Sequence, residues 1–302
     1  MGVEREPSLP PEDGEVLPEE PLARHTTWRI GGPARWLCRV KTEAGLSRVL
    51  SAAASGGWPL ALLGMGSNVL VGDAGFRGAV VRLEGDFLKV RIDGERLTAG
   101  GGAGLGGVCA QAARAGLSGI EAISGIPSSI GGAVRINAGA YGGEILDVLE
   151  SVRLVSWSGS RREALAGEIP HGYRWTKLCE TREIVARATL HLSPAPRESI
   201  EQKTRAVAEK RRGALPAEPN AGSVFKNPPG DYAGRLIEAC GLKGTREGGA
   251  AISERHANVI VNRGGASAAD VLALMRRMRD SVKAQFGVTL SPEVEMLGIK
   301  WE

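Results

Sequence analysis

The chain has 302 residues, of which 42% are hydrophobic, and a formal net charge of +4 at pH 7. This length is typical of two domains with packed cores, and no uninterrupted apolar stretch is long enough to cross a bilayer. The N-terminus lacks the basic and then apolar order of a secretion signal. The four cysteines lie far apart without a Cys-x-x-Cys pair, which argues against a disulfide framework or a zinc site. We therefore expect a cytoplasmic protein without a bound metal.

The first 21 residues are acidic and rich in proline. They hold seven carboxylates, five prolines and one basic residue, Arg5, a composition typical of disordered tails. Their formal charge is −6, so residues 22–302 carry +10. A basic fold can bind nucleic acid, but the Lys and Arg residues are scattered and thinly interleaved with aromatics, so a groove for small anionic ligands explains the charge as well.

Two glycine-rich runs favour a nucleotide ligand. The first, Gly64-Met65-Gly66-Ser67-Asn68, follows the apolar segment 58–63, which predicts a buried strand. The second extends from Ser124 to Gly143. Glycine lacks the Cβ that keeps main-chain N–H groups away from an anion, so such loops suit phosphate groups. Either run alone is equally well explained as surface turns; together they favour a bound dinucleotide.

A Gly-x-Gly-x-x-Gly motif occupies residues 102–107, before the helix-like segment 108–115. A Rossmann dinucleotide site also needs a second hydrophobic strand that ends in an acidic residue about 20 positions later. The second glycine run occupies that position here. We therefore interpret 102–107 as a tight turn that opens a packed helix.

Strands and helices alternate up to about residue 192, where the pattern changes. Strands are predicted over residues 88–92, 96–99, 152–157 and 183–190. Asp93-Gly94-Glu95 predicts a hairpin turn between the first two strands. Helices are predicted over 198–212 and 267–286. The second helix has a Ser267/Asp270 capping pattern and stops at Gly287. The whole pattern indicates an α+β protein.

Seven motifs in order resemble those of UDP-N-acetylenolpyruvoylglucosamine reductases, flavoenzymes that make UDP-N-acetylmuramic acid for peptidoglycan. The resemblance covers about residues 22–299 and is carried by Thr27–Ala34, Gly64–Val71, Gly119–Gly143, Tyr173-Arg174, Gly222–Pro228, Ser253–Asn258 and Pro292–Val294. It implies an FAD-binding domain of the vanillyl-alcohol-oxidase type over 22–192, with α+β subdomains of about 22–85 and 86–192. A smaller α+β substrate-binding domain over 198–302 follows. The chain lacks the Tyr-bearing insertion of the longer class of these reductases, so it resembles the shorter class.

The resemblance also implies the cofactor contacts, with FAD as the bound cofactor and NADPH as the hydride donor. The implied FAD contacts are Gly64, Met65, Gly66, Ser67, Asn68, Gly125, Ile126, Pro127, Ser128, Ser129, Gly132, Asn137, Ala138, Gly139 and Ile184. Many members of the wider superfamily attach FAD covalently through a histidine, and neither glycine run contains one. We therefore expect non-covalent FAD.

Reduction of an enolpyruvyl ether adds hydride to the terminal vinyl carbon, so negative charge develops toward the substrate carboxylate. The resemblance implies that Arg174 meets this charge with a guanidinium that stays protonated and can bond bidentately. It implies that Ser223 donates the proton to the adjacent carbon. Glu293 would stabilise the enolic intermediate, either as an acid or as an orienting group. The implied substrate-binding residues are Tyr173, Arg212, Lys226 and Asn227.

Two other functions stay open on the residues alone. One is a different flavoenzyme on the same scaffold, such as an oxidase of a small alcohol, which would leave the C-terminal motifs unexplained. The other is a non-catalytic protein that binds nucleotides or nucleic acid, suggested by the net charge. We expect a UDP-sugar substrate, with no nucleic acid, membrane or obligate protein partner.

Overall fold

The computed structural model of the protein describes residues 6–301. Within this range the chain forms six α-helices: α1 (Glu43–Gly56), α2 (Leu105–Arg114), α3 (Ile130–Arg135), α4 (Arg197–Ala214), α5 (Ala233–Ala239) and α6 (Ala268–Phe286). The predicted helices over 198–212 and 267–286 are confirmed as α4 and α6. Among the described residues, no helix has both the length and the apolar character required to traverse a membrane.

Most of the strands are short. The first ten are β1 (Gly14–Pro21), β2 (Pro33–Val40), β3 (Leu60–Leu62), β4 (Val69–Val71), β5 (Phe76–Leu83), β6 (Val90–Asp93), β7 (Arg96–Gly100), β8 (Leu117–Ser118), β9 (Gly139–Ala140) and β10 (Gly143–Glu144). The others are β11 (Leu149–Ser156), β12 (Arg161–Leu165), β13 (His171–Gly172), β14 (Trp175–Thr176), β15 (Glu183–His191), β16 (Ser193–Pro194), β17 (Asn220–Ser223), β18 (Arg246–Glu247), β19 (Ala250–Ile252), β20 (Val259–Asn262) and β21 (Glu295–Leu297).

The chain divides into two compact units, each assembled from separate stretches of sequence. The first unit contains the described residues up to 18 together with 36–65 and 78–210. The second contains 19–35, 66–77 and the chain from 211 onward. The second unit therefore combines the C-terminal third of the chain with two short segments from the N-terminal quarter.

The main sheet of the first unit has the strand order β12-β11-β15-β7-β6. All of its neighbouring strands are antiparallel, which excludes the parallel sheet of a Rossmann fold. The predicted hairpin is confirmed, because β6 and β7 pair from Asp93 and Arg96 outward. Buried side chains of α2, α3 and these strands share one apolar core, including Val108, Ala112, Ile130, Val134, Leu154 and Leu190.

The interpretation of residues 102–107 as a tight turn is also confirmed. α2 begins at Leu105 and buries Val108, Cys109 and Ala112. A Cβ on Gly102 would lie 2.3 Å from the Leu83 carbonyl oxygen, so the turn needs glycine for backbone packing.

The prediction of a buried strand over 58–63 is only half right. The strand forms as β3, but Leu62 is 38% exposed. β3 is the last strand of the sheet ordered β1-β2-β5-β3. Because an edge strand has a neighbour on one side only, its side chains are less covered than a continuous apolar run suggests.

The prediction of a disordered tail over 1–21 is wrong for residues 14–21, and residues 1–5 lie outside the described range. β1 pairs with β2. Just before it, Asp13 is 6% exposed and its carboxylate accepts hydrogen bonds from Thr42 and Arg48. An acidic segment has few apolar side chains to bury. It can still pair in a sheet when a carboxylate that becomes buried accepts hydrogen bonds.

The second unit has a sheet ordered β17-β20-β19-β18 and a core with α5 and α6. At the start of α6, Ser267 Oγ accepts from Asp270 N (3.1 Å) and Asp270 Oδ2 accepts from Ser267 N (2.9 Å). The helix ends at Gly287, whose φ is +71°. Both predicted ends are therefore confirmed, because this capping box satisfies N–H groups that the helix cannot pair internally. On one face of this helix Val271, Leu274, Met275, Met278 and Val282 are buried.

Candidate active site

In the first unit, the beginning of the first glycine run lies against the second run. A Cβ on Gly64 would lie 2.6 Å from Ser129 Oγ, so no larger residue fits there without a shift. Ser129 Oγ also accepts from Gly132 N at 3.2 Å. The start of the first run therefore meets the second run at Gly64 and Ser129, about 60 positions apart in sequence.

The second run is fastened to the turn that precedes α2. Ile130 N donates to the Ala103 carbonyl and Gly131 N to the Gly101 carbonyl, both at 2.8 Å. Ser128 O accepts from Leu105 N, also at 2.8 Å. Main-chain bonds of this kind hold the loop in one conformation. Ser128 has no positive φ in the structure.

The remainder of the first run lies in the second unit, where Gly66 has φ +64°. A Cβ on Gly66 would lie 2.0 Å from the His25 carbonyl oxygen, and Gly66 O accepts from Thr27 N at 3.0 Å. Asn68 Nδ2 donates to the Glu293 carbonyl at 3.2 Å. A residue predicted to contact FAD is therefore bonded to the backbone of a predicted catalytic residue.

The other predicted cofactor residues occupy different surroundings. Gly125, Ile126, Pro127 and Ser128 precede α3, and Ala138 and Gly139 lie between α3 and the end of β9. Met65 is 46% exposed. Ile184 is 2% exposed and packs in an apolar core.

Tyr173 and Arg174 form the two-residue turn between β13 and β14, which pair from Gly172 and Trp175 outward. Arg174 has φ +55°, a conformation that is uncommon for residues other than glycine and costs roughly 1–2 kcal/mol. Its guanidinium carbon lies 5.1 Å from the centroid of the Tyr173 ring. The surrounding structure must therefore hold this arginine in place, and such strain is found preferentially at functional sites.

The second arm of this hairpin is anchored to the end of α3 by residues that sequence reasoning missed. Thr176 is fully buried and its hydroxyl donates to the Arg135 carbonyl at 2.6 Å. The Arg135 guanidinium donates to the carbonyls of Leu178 (2.5 Å) and Cys179 (3.1 Å). Thr176 stands outside the seven motifs, and Arg135 lies within the Gly119–Gly143 motif without a role of its own, because the role of both depends on a contact across about 40 positions.

In the second unit, Ser223 is the last residue of β17 and follows an irregularity in the sheet. Asn220 pairs with Val261 and Ser223 with Val259, so β17 has one more residue than β20 over this stretch. Gly222 has φ +73° and its N–H donates to Asn220 Oδ1 at 2.9 Å. Bulges of this kind redirect the following side chain, and here that side chain is the predicted proton donor.

The segment after Ser223 is locked by Asn258, which is 2% exposed. Asn258 Nδ2 donates to Phe225 O at 2.8 Å, and Asn258 Oδ1 accepts from Phe225 N at 3.1 Å. The Asn258 carbonyl accepts from Val224 N at 2.9 Å. Sequence reasoning matched the motif around Asn258 but gave this residue no role; only its burial and its bonds to Phe225 reveal one.

Glu293 lies beside the same segment. Glu293 N donates to Val224 O and Lys226 N donates to Ser291 O, both at 2.9 Å. Two of the predicted catalytic residues, Ser223 and Glu293, therefore belong to chain segments that are hydrogen-bonded to each other. Two residues after Glu293, β21 begins at Glu295 and pairs with β4.

The predicted substrate-binding residues of the second unit are more dispersed. Lys226 and Asn227 follow the locked segment, and Asn227 Oδ1 accepts from Ala233 N at 3.1 Å at the start of α5. Arg212 is exposed in the last turn of α4.

Thiol and metal chemistry find little support in the described residues. Cys38 and Cys109 are buried, and burial raises the pKa of each thiol to about 12, so neither is a thiolate at neutral pH. Cys179 and Cys240 are partly exposed. Between residues 6 and 301, no cluster of three or more His, Cys, Asp or Glu side chains is suited to a metal ion.

Comparison with known proteins identifies two matching family models. The model described as "UDP-N-acetylenolpyruvoylglucosamine reductase, C-terminal domain" matches residues 215–297, and the model described as "FAD binding domain" matches residues 34–164. UDP-N-acetylenolpyruvoylglucosamine reductase 2 of Symbiobacterium thermophilum is 47% identical over 98% of this chain and 96% of its own length. The reductase of Heliobacterium modesticaldum is 46% identical over 94% of this chain and 91% of its own length.

A solved structure agrees with these matches. The crystal structure of UDP-N-acetylenolpyruvylglucosamine reductase from Thermus caldophilus is 40% identical to this chain, with a TM-score of 0.82, and the match covers 94% of this chain and 98% of that one. The predicted α+β class, with an FAD-binding domain and a second domain, is confirmed, as is FAD as the cofactor. The chain therefore belongs to the UDP-N-acetylenolpyruvoylglucosamine reductase family.

Proposed function

We propose that this protein reduces the enolpyruvyl ether of UDP-N-acetylglucosamine enolpyruvate to UDP-N-acetylmuramate. NADPH supplies the hydride, and solvent supplies the balancing proton through a side chain. The names of the relatives support the substrate and the reaction. The observation that carries the proposal within this chain is the direct hydrogen bonding between the segments of Ser223 and Glu293.

Bound FAD would supply the hydride-transfer chemistry that links NADPH to the vinyl carbon of the substrate. The residues present fit this cofactor, because Gly64 and Ser129 approach so closely that a Cβ would fill the space between them. Glycine loops of this kind expose main-chain N–H groups that suit a diphosphate. We expect non-covalent FAD, which acid denaturation should release into the supernatant; flavin that remains on the precipitated chain would contradict this.

Arg174 stabilises the charge that develops on the substrate carboxylate during hydride transfer. A guanidinium suits this role because it remains protonated and offers two parallel donors. The left-handed backbone of Arg174 fixes its position before substrate arrives, which removes part of the cost of reorganisation in the transition state. Tyr173, whose ring contacts the same guanidinium, lies beside the substrate.

Ser223 delivers the proton to the carbon next to the one that accepts hydride. A serine hydroxyl is a weak acid in water, so it needs a fixed position and a neighbour that replaces its proton. The bulge at Gly222 and the bonds from Asn258 fix the position. Glu293, on the adjoining segment, stabilises the enolic intermediate, while Lys226, Asn227 and Arg212 bind the substrate.

NADPH and nucleotide sugars are cytoplasmic metabolites, so we place the activity in the cytoplasm. We assign the protein a small-molecule substrate and no nucleic-acid, membrane or obligate protein partner.

Anaerobic rapid mixing tests the function in two steps. NADPH should first bleach the flavin of the purified protein, and the enolpyruvyl sugar nucleotide should then restore the oxidised spectrum with one equivalent of UDP-N-acetylmuramate formed. A flavin that is reoxidised only by O₂, whatever sugar nucleotide is added, would favour an oxidase on the same scaffold.

A further inference from the structure

Three residues with unusual backbone conformations belong to one assembly in the first unit. Among the described residues, five that are not glycine have positive φ, and three of these are Asn137 (+46°), Tyr141 (+51°) and Arg174 (+55°). Each costs free energy that the surrounding structure must offset. All three lie around one buried side chain, Asn137. Because backbone strain of this kind clusters at functional sites, we infer that this assembly serves the function of the protein.

Asn137 is fully buried and its side-chain amide is occupied by protein groups. Its Nδ2 donates to Glu144 Oε2 at 2.5 Å and to the Gly172 carbonyl at 3.2 Å. Its Oδ1 accepts from Leu146 N at 3.3 Å. Both amide donors are therefore used, and a hydrogen bond donated by this amide to FAD would require breaking one of them.

The two donated bonds join two hairpins. Glu144 ends the β9–β10 hairpin, whose turn contains Tyr141, and Gly172 precedes the turn that contains Arg174. A Cβ on Gly139 would lie 2.7 Å from Glu144 Cγ, so Gly139 makes room for the Glu144 side chain. Glu144 N also donates to Asp147 Oδ2 at 2.7 Å. The carboxylate that orients Asn137 is thus itself held in place.

Both arms of the Arg174 hairpin are attached to residues 135–137. Asn137 bonds Gly172 on one arm, and the Arg135 carbonyl accepts from Thr176 on the other. These attachment points immediately follow α3, which begins at the proposed cofactor loop with Ser129 as its N-cap. A helix of six residues is about 9 Å long, so the loop and the hairpin are joined by a short and stiff connection.

We propose that Asn137, oriented by Glu144, is a positioning residue for Arg174 and does not contact FAD through its amide. Its bond to Gly172 fixes the base of the turn two residues before Arg174 and so maintains the left-handed conformation that aims the guanidinium. The bond to a carboxylate is charge-assisted and hence stronger than a neutral one. This inference rests on the proposed role of Arg174 in substrate reduction.

Asn137→Gly tests the inference, because glycine tolerates φ +46° and removes only the amide. We expect unchanged FAD content and unchanged flavin reduction by NADPH. Reoxidation by the enolpyruvyl substrate should slow by about 10- to 100-fold, the loss typical of a misplaced catalytic group. Amide hydrogen exchange in residues 171–176 should become faster.

A double variant separates positioning from an independent role. In an Arg174→Ala background, Asn137→Gly should cause no additional slowing of reoxidation, because the group that it positions is already absent. Full additive slowing, loss of FAD, or normal reoxidation in the single variant would each overturn the inference. Normal reoxidation in Arg174→Ala alone would instead overturn the proposed role of Arg174.

Glu144 provides the second test if Asn137→Gly fails to fold. Glu144→Ala should slow reoxidation in the same manner, and Glu144→Gln should restore most of the rate because its amide oxygen can still accept from Asn137. Equal rates in these two variants would overturn the inference. Glu163→Ala is the matched control, since the Glu163 side chain is 67% exposed on β12 and should leave both half-reactions unchanged.

Discussion

The Arg174 hairpin and the Ser223 segment each depend on a buried asparagine, but they place backbone strain on different residues. In the hairpin the functional residue itself has positive φ, and side chains at the base of the turn hold it there. In the Ser223 segment the positive φ falls on Gly222, and Asn258 locks ordinary extended backbone beyond it. The comparison shows two arrangements of backbone strain. A functional residue can itself have positive φ when its surroundings are rigid, or a neighbouring glycine can have it instead.

The largest expected effect tests Ser223 directly. Ser223→Ala should leave flavin reduction by NADPH near the normal rate, because no proton donor to carbon is needed in that step. Reoxidation by the enolpyruvyl substrate should slow by roughly 10²–10⁴-fold, the loss typical of a positioned acid. Rapid mixing of the two half-reactions measures both rates.

Ser223→Cys should recover part of that rate, because a thiol supplies a proton of lower pKa at nearly the same position. Ser158→Ala, at an exposed serine, should be silent. An alanine variant of Ser223 that reoxidises normally would make Glu293 the preferred proton donor.

Arg174→Lys tests the Arg174 hairpin, the other region of this comparison. Lysine keeps the charge but loses the planar pair of donors, so reoxidation by substrate should slow by about 10²-fold, with flavin reduction by NADPH largely unchanged. Stopped-flow absorbance of the flavin provides both rates. Equal losses in the two half-reactions would argue against a role of Arg174 at the enolate.

Gly222→Ala tests whether strain in the Ser223 segment rests on the glycine. No atom lies within 4 Å of a Cβ on Gly222, so the cost is conformational, about 1 kcal/mol of unfolding free energy. Reoxidation by substrate should slow by about 10-fold because the bulge relaxes and redirects Ser223.

Gly94→Ala is the matched control, because Gly94 has φ +56° and equally open surroundings in the β6–β7 turn. Denaturant unfolding should show a similar loss of stability in the two variants. If the control slows reoxidation as much as Gly222→Ala does, the bulge has no special role.

The smallest expected effect is on the stability of the fold at acidic pH. His256 Nδ1 accepts from Asn258 N at 3.2 Å, and burial together with the charge of Lys243 lowers the pKa of His256. The unfolded chain therefore binds more protons than the folded chain just below pH 6.5, and the free energy of unfolding should fall as pH decreases through that value. His256→Gln should reduce this pH dependence in denaturant titrations.

Amide exchange at low pH provides the comparison between the two regions. Residues 224–226 should lose protection before residues 171–176, because Asn258, which holds the first segment, donates its backbone N–H to His256. Simultaneous loss in both segments would contradict this difference.

Much of the fold was predictable because local signals agreed with the final structure. The capping box and apolar face of α6, the Asp-Gly turn between β6 and β7, and the glycine requirement at 102–107 act over a few residues. The edge position of β3, the pairing of β1 and the burial of Ile184 were missed, because each depends on neighbours that are distant in sequence. The domain boundary near 192–198 stays a prediction.

The sequence by itself determined the family and the candidate residues. The motifs of glycines, an arginine and a serine can be recognised from their order along the chain, because the chemistry depends on these residue types and not on the residues that support them. Only the tertiary structure decided how those residues are held: Asn137 and Glu144 beneath Arg174, the bulge before Ser223, and Asn258 beside Phe225. The physical reason is that a buried amide acquires its role from the carbonyls and N–H groups that it meets. Here those partners lie up to 35 positions away in the chain.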